Sequence, residues 1–490
     1  MEVYIMKIKH TFPALLLFAA LLVSCGQEAT APTETDSVSE TTPVTEAVTE
    51  APRDSLPDDL DFGGTTVNLF MRNDMPLAEF DITEDSGDIV DSAIFQRNST
   101  VAERLNVTFN HIGHPCAWGD IPNFTAQVEK SVLAGDGAYD IVGAYSMALA
   151  DLTVADLMYD ISNTKYLDLK QPWWSKLYLE QSYVGDHLYF VSGDISANMT
   201  YYTYTYFFNK TMIEKFDLDN PYELVKNGTW TLDKLSEMTK GIYNDLNNNG
   251  KKDKDDQYGS LMYTVFIDSM YWGSGLTVLS QDKNGNLRIS DDLMSEKTVD
   301  VITKVLDLYT VSPDHYFSLN YEQTFHNGNV LFTVDEMHYA INNLRDVTFD
   351  FGVVPTPKYD EAQESYYTTS GAPVFMYGMP TTIADPDMAS AVLEALASES
   401  YYNLTPVLFE TAMKVKYSRD TESAQMFDII RDSRMTDPAR IFGRSLNNIY
   451  AVFRFQIEEK NQNWASNYEK HLKEYQTSID KLNENFSSRS

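Results

Sequence analysis

TTVNLFM at residues 65–71, VTFNHI at 107–112 and YDIVGAY at 139–145 are three short runs of strand-forming residues, and what lies between them decides the fold. Val90, Ile94, Val101 and Leu105 recur on one helical face between the first two runs, and a second helical stretch reaches Leu133 before the third. Strand, helix, strand, helix, strand predicts an α/β protein with a parallel sheet covered on both faces. The turn at Gly63-Gly64 marks where the globular part begins.

Upstream, Lys7 and Lys9 precede an apolar run from Phe12 to Val23, too short to span a bilayer as a mature helix, so residues 1–24 read as a secretory signal. The run ends in Leu22-Val23-Ser24-Cys25, which resembles the lipobox of bacterial lipoproteins, where the cysteine is diacylated and becomes the first residue. Two acyl chains hold a protein stably on a membrane. An ordinary signal peptide followed by a chance cysteine is the alternative. Residues 25–61, rich in Thr, Glu, Ser and Pro, cannot pack a core and read as a flexible tether. The second of the two cysteines is Cys116, so no disulfide is expected and the core must carry the stability.

A chain of 490 residues is long for one core, and two domains are expected. The balance of 72 acidic against 37 basic residues, a formal charge of −35, excludes nucleic acid as a natural partner. Further along, Thr231 is placed to cap a helix carrying Leu232, Leu235, Met238 and Ile242 on one side, with Asp233 in its first turn. Met388, Ala391, Val392, Ala395 and Leu396 mark another amphipathic helix, and residues 449–486 read as long helices. No internal repeat is seen.

Catalytic signatures are missing: there is no HExxH, GxSxG, GxxxxGK[ST] or GxGxxG. A glycosidase needs only two carboxylates, so motif search leaves that activity open. His111 and His114 fall in HIGHP, a strand end and loop, and are not expected to bind metal. Residues 245–256, DLNNNGKKDKDD, have the spacing of a calcium loop. Asp245, Asn247, Asn249 and Asp253 offer side-chain oxygens, Lys251 its carbonyl, Gly250 the sharp turn, and Asp256 the closing position. A helix is expected to enter this loop and the strand-like GSLMYTVF to leave it, which fits a structural ion better than a signalling hand. A solvated turn is the plainer reading.

YFFNKTMIEKFDLDNPYELVKNGTWTLDKLSEMTK at 206–240 resembles bacterial extracellular solute-binding proteins, in which an Asn-Lys strand leads to a helix opened by Thr-Trp. GDHLYFVSGDIS (185–196), FHNGNVLFTV (325–334), DFGVVPTPKYDEAQESYYT (350–368) and SRDTESAQMFDIIRDSR (418–434) match the same family in order. The resemblance implies a periplasmic-binding-protein-like fold: two α/β lobes joined by crossing strands, with a ligand cleft between them. It implies residues 62–205 and 378–410 in lobe 1, and 206–377 and 411–490 in lobe 2. It further implies a lipid-anchored monomer on the outer face of the cell membrane, handing a carbohydrate to the permease of an ABC importer. Maltose-binding protein is the familiar relative. The 31 tyrosines suit that ligand class, since flat rings cover the C–H face of a sugar while carboxylates and amides bond its hydroxyls.

Ligands bind at the carboxyl ends of strands in open α/β sheets, which selects the candidate residues. Asn73 and Asp74 follow the first strand, at an acidic position that contacts sugar in the maltose-binding relatives. Tyr145 follows YDIVGA, and Tyr202 precedes the crossing strand that carries Asn209 and Lys210. Asp268, Tyr271 and Trp272 are expected in a loop after LMYTVF, and Asp335, Glu336 and Met337 after VLFTV. Met337 stands where a maltodextrin binder would carry an aromatic ring. Trp173, Trp174 and Trp230 are assigned to packing. The rival classes are an exported glycoside hydrolase and a calcium-dependent adhesion module. The latter predicts repeats of the calcium loop, and one is present. If Cys25 carries the anchor, Cys25→Ala releases the protein into the medium; retention of the variant on membranes contradicts this.

Overall fold

The computed structural model describes residues 54–75, 77–321, 323–371, 375–414 and 421–489. Cys25, the leader and most of the tether lie outside the described residues. Among those described, no helix is long and apolar enough to cross a membrane.

Four strands begin the chain's first sheet: β1 (Thr65–Arg72), β2 (Val107–His114), β3 (Ile141–Tyr145) and β4 (Phe190–Val191). The second sheet opens with β5 (Tyr204–Asn209) and β6 (Tyr258–Tyr263), then a hairpin of β7 (Leu279–Gln281) and β8 (Leu287–Ile289) stands apart from it. β9 (His315–Ser318), β10 (Val330–Glu336) and β11 (Phe351–Val354) complete the second sheet. β12 (Thr368–Thr369) and β14 (Arg434–Met435) belong to the passages between the sheets, and β13 (Phe375–Gly378) is the fifth strand of the first sheet. The sheet orders are β2-β1-β3-β13-β4 and β11-β5-β10-β6-β9. This is the two-lobed α/β architecture.

The helix Ile89–Leu105 buries Val90, Ile94, Val101 and Leu105, the face expected from sequence. Asp88 caps it by accepting from the Val90 and Asp91 amides, and Asn106 ends it in a left-handed conformation. Thr231 caps its own helix by accepting from the Lys234 amide. β1, β2 and β3 are parallel, as expected. β13 departs from that expectation, running antiparallel to β3 and β4. It arrives from the other lobe at the carboxyl end of β3, with Phe375 opposite Tyr145, and can only run back through the sheet.

Three passages join the lobes and hold one another. Thr203 bridges Ser370, the Gly371 amide donates to the Tyr202 carbonyl at 2.5 Å, and β12 pairs with β14. A β-carbon on Gly371 would collide with Glu336 Oε1, so a larger residue here would displace the Glu336 carboxylate. Two expected boundaries move. β13 puts residues 375–377 in lobe 1, and the C-terminal helix Trp464–Ser487 belongs to both lobes. Its Trp464 Nε1 donates to Leu293 O, while at its far end Phe486 meets Tyr189 edge-on and Arg489 donates to Thr153 O. Twenty-four residues of helix reach about 36 Å, enough to connect them.

Glu394 ties the return segment into lobe 1. Wholly buried, it accepts from Trp173 Nε1 at 3.1 Å, Trp174 Nε1 at 2.9 Å and the Asp168 amide at 3.1 Å. Those tryptophans are therefore packing residues, as assigned, and Trp230 likewise donates to Pro355 O from a buried position. Burial outweighs the three donors to Glu394 and pushes its pKa up to about 7. The folded state thus holds this proton more tightly than the unfolded chain, whose glutamates titrate near 4.3. The stabilisation is complete below about pH 4 and is lost as pH rises through about 7. The melting temperature of the native protein should therefore fall relative to that of Glu394→Gln between about pH 5 and pH 8. A relative melting temperature that stays constant or rises contradicts the assignment.

Candidate functional site

Tyr145 pairs with Phe375 in the first sheet and Glu336 with Tyr204 in the second, and both partners are the first strand residues past a crossing. The carboxyl ends of β1 and β3 and those of β6, β9 and β10 therefore abut the same crossings. Side chains from both lobes and from the third passage meet there.

From lobe 1 come Arg72, Asn73, Asp74 and Tyr145. Arg72 Nε donates to Asp74 Oδ1 at 2.6 Å, and its guanidinium lies 5.8 Å from the centre of the Tyr145 ring. Asp74 also accepts from the Cys116 amide at 3.1 Å. Burial alone would raise the Asp74 pKa, but these bonds and the Arg72 charge bring it below the usual carboxylate value. Asn73 and Asp74 are exposed, whereas Tyr145 and Tyr202 are buried.

From lobe 2 come Glu336 and His338, 2.9 Å apart, with the Tyr202 ring edge-on to His338. Burial raises the Glu336 pKa; it opposes charge on His338, yet the bond to Glu336 leaves that imidazole more basic than usual. Asp335, on the opposite face of the strand, accepts from Tyr321 Oη at 2.8 Å and Gln323 Nε2 at 2.9 Å, and burial pushes it up to about 7. β10 thus runs through Asp335 and Glu336 instead of ending before them, and Met337 is buried behind it.

The expected loop holding Asp268, Tyr271 and Trp272 is instead a helical turn, Thr264–Ile267, followed by the helix Asp268–Gly273. All three side chains are buried. Asp268 takes a two-pronged contact from Arg454, at 3.1 and 2.9 Å, and lies 3.6 Å from Arg440 Nη1. Trp272 donates to Asp437 and lies under the Arg440 guanidinium, 4.7 Å from ring centre. Tyr271 packs on Phe453 and donates to Thr277 O. The sequence reading missed Arg72, His338, Arg440 and Arg454. Arg72 could have been found, since it ends a strand beside two candidates; the other contacts exist only in three dimensions.

It also missed the aromatic rings left in the open. Among the described residues three large rings are exposed: Trp118, Tyr321 and Phe455. Trp118 follows β2, Tyr321 follows β9, and Phe455 adjoins Arg454. The first two stand at the carboxyl rims of the two sheets.

The calcium-loop stretch lies away from this cluster. Its helix ends at Thr239, short of the loop, and Asn244 pairs with Gln257 at the neck. Asp256 is wholly buried, with its oxygens accepting from the Leu246 and Asp253 amides and from Tyr243 and Tyr258 hydroxyls. Asp245 accepts from the Asn249 and Gly250 amides, and Asn249 Nδ2 donates to Asp253. Among the described residues, no group of three or more His, Cys, Asp or Glu is gathered so as to hold a metal ion. Asp256, expected as the closing ligand, is committed to the loop's own amides.

No protein-family model and no curated protein matches the chain. Solved structures share its fold. A cyclic α-maltosyl-1,6-maltose-binding protein from Arthrobacter globiformis is 14% identical, with 86% of this chain and 98% of that one covered at a TM-score of 0.56. An ABC substrate-binding protein from Listeria monocytogenes, in complex with cycloalternan, is 12% identical over 86% and 99% of the two chains, with a TM-score of 0.53. A Mycobacterium tuberculosis protein in complex with glycerophosphocholine is 11% identical over 85% and 99%, with a TM-score of 0.51. The fold is that of the two-lobed ABC substrate-binding proteins.

Trp272→Ala should destabilise the protein by about 3–5 kcal/mol, because it empties a buried site and uncovers Arg440. Denaturant unfolding checks this, and a loss under about 1 kcal/mol would place the ring outside the core.

Proposed function

We propose that this chain captures a carbohydrate in the space between its lobes and delivers it to an ABC importer. One observation carries the reading: exposed aromatic rings, Trp118 and Tyr321, follow strands at the carboxyl ends of the two sheets, the ends at which both lobes also supply polar groups such as Asp74 and Glu336. Rings can cover the C–H face of a sugar while Asn73, Asp74 and Glu336 bond its hydroxyls. Solved proteins of this fold with bound or named sugar ligands support it. Tyr145 and Tyr202 border the same space. Asp268, Tyr271, Trp272, Asp335 and Met337 act from behind, by fixing Arg440, Arg454 and the strand end. Anchoring through Cys25 on the outer face of the membrane belongs to the same proposal.

Glycoside hydrolysis has less support. Asp74, Glu336 and Asp268 are each bound to a cationic partner, and the solved structures of this fold are binding proteins. Purified protein incubated with a mixed oligosaccharide panel should bind a subset and return it unaltered, with a rise in melting temperature. Turnover of the bound sugar overturns the reading, and so does stabilisation by amino acids or peptides alone.

We also propose a structural calcium ion at the rim formed by Asp245, Asn247, Asn249, Asp253 and the Lys251 carbonyl, on residue type and spacing. Chelator should then lower the melting temperature without altering sugar preference, and Asp245→Ala should abolish that sensitivity. A melting curve indifferent to calcium and chelator reduces the stretch to a turn.

A further inference from the structure

Arg72 and Arg440 are buried to more than nine-tenths, their side chains 7% and 6% exposed. Each keeps one guanidinium nitrogen, Nη1, with no hydrogen-bond acceptor among the described residues. For Arg440 the nearest carboxylate oxygen, on Asp268, is 3.6 Å away, too far for a hydrogen bond. A guanidinium stays protonated and is a donor only. A buried N–H left without an acceptor is costly, so these two await an oxygen.

Arg72 is matched by Asp74, and His338 by Glu336. Arg440 and Arg454 share the carboxylate of Asp268, with Glu458, one turn beyond Arg454, bound to Thr264. Asp268 satisfies two nitrogens of Arg454 and leaves Arg440 Nη1 at 3.6 Å, so the cation with the unmet N–H is one that an anionic oxygen suits. Arg72 lies 5.8 Å from the ring of Tyr145, which pairs with Phe375, and Arg440 donates to the Ser370 carbonyl a few residues earlier on the same passage, so both stand at one crossing.

Arg72 also lines a cavity of 110 Å³ with Asn73, Phe80 and His111, room for about three waters or one carboxylate. His111 Nδ1 is buried there, likewise without a partner among the described residues. Glu79 borders the cavity too, but its carboxylate accepts from Ser196, Ala197, Asn198 and Tyr377.

Resting on the carbohydrate reading above, we propose that the sugar is acidic: a uronate whose carboxylate is received by the unpaired N–H groups of Arg72 and Arg440. One N–H from each guanidinium can meet one oxygen of a carboxylate, and such a charge-assisted bond is stronger than one to a neutral hydroxyl, which favours a uronate over a neutral sugar.

The test compares uronate oligosaccharides, oligogalacturonate and oligoglucuronate, with neutral galacto- and gluco-oligosaccharides of equal length and with a sulfated neutral disaccharide. Calorimetry and melting temperature are read on the purified chain. A uronate should bind at least ten-fold more tightly than its neutral counterpart. Arg72→Gln should bring that ratio near one, and Arg72→Lys, which keeps the charge and loses the planar guanidinium, should retain part of it. The melting curve of each variant shows that it is folded. Neutral sugar bound as tightly as uronate overturns the acidic assignment alone and leaves the carbohydrate reading intact. Tighter binding of the sulfated sugar overturns the carboxylate assignment. Binding of no sugar of any kind overturns both readings.

Discussion

A buried guanidinium organises the centre of this molecule. Arg440 enters from the third passage, just after Asp437 caps the short helix Pro438–Ile441. It donates to the Ser370 carbonyl on the second passage at 2.9 Å, faces Asp268 of lobe 2 and stacks on Trp272. A charge removed from water must be matched locally, so the placement of Asp268, Trp272 and the crossing strand are mutually determined. Arg454 completes the arrangement by binding Asp268 from the helix Val452–Glu458.

From that constraint the sheets follow. The crossings run together, pinned by the Thr203–Ser370 bridge and the pairing of β12 with β14, so every strand that leaves a crossing starts at the same end of its sheet. This is why β13 is antiparallel to β3 and why β5 is antiparallel to both β10 and β11. The carboxyl ends of the parallel strands are thereby brought to the crossings, where a ligand meets both lobes at once. The C-terminal helix adds a second connection far from the hinge, with Trp464 in one lobe and Arg489 against the other.

Local pattern carried much of this into the sequence. The helix face of Val90, Ile94, Val101 and Leu105, the Thr231 cap, the three parallel strands and the packing roles of Trp173, Trp174 and Trp230 were all legible, because each depends on spacing or on the size of one side chain. Trp272 was misread for the opposite reason. Its neighbours Gly273 and Gly275 suggest an open loop, but the ring is fixed by Asp437 and Arg440, which lie far along the chain. Asp268 finds its partner Arg454 at a separation of 186 residues, which no periodicity reveals. Asp256 matched the spacing of a metal ligand, yet spacing does not tell whether an oxygen faces outward or is spent on amides of its own loop.

The proposed capture of a carbohydrate between the lobes has them turn about these crossings as it enters. Paired nitroxide labels at Leu133 of lobe 1 and Val299 of lobe 2, both exposed, report that motion directly. A Cys25→Ala background leaves only the buried Cys116 besides the labels. Pulsed electron spin resonance, with and without the sugar that most raises the melting temperature, should show the distance distribution shift and narrow on binding. The same distribution in both conditions, at saturating sugar, would show that the lobes do not turn.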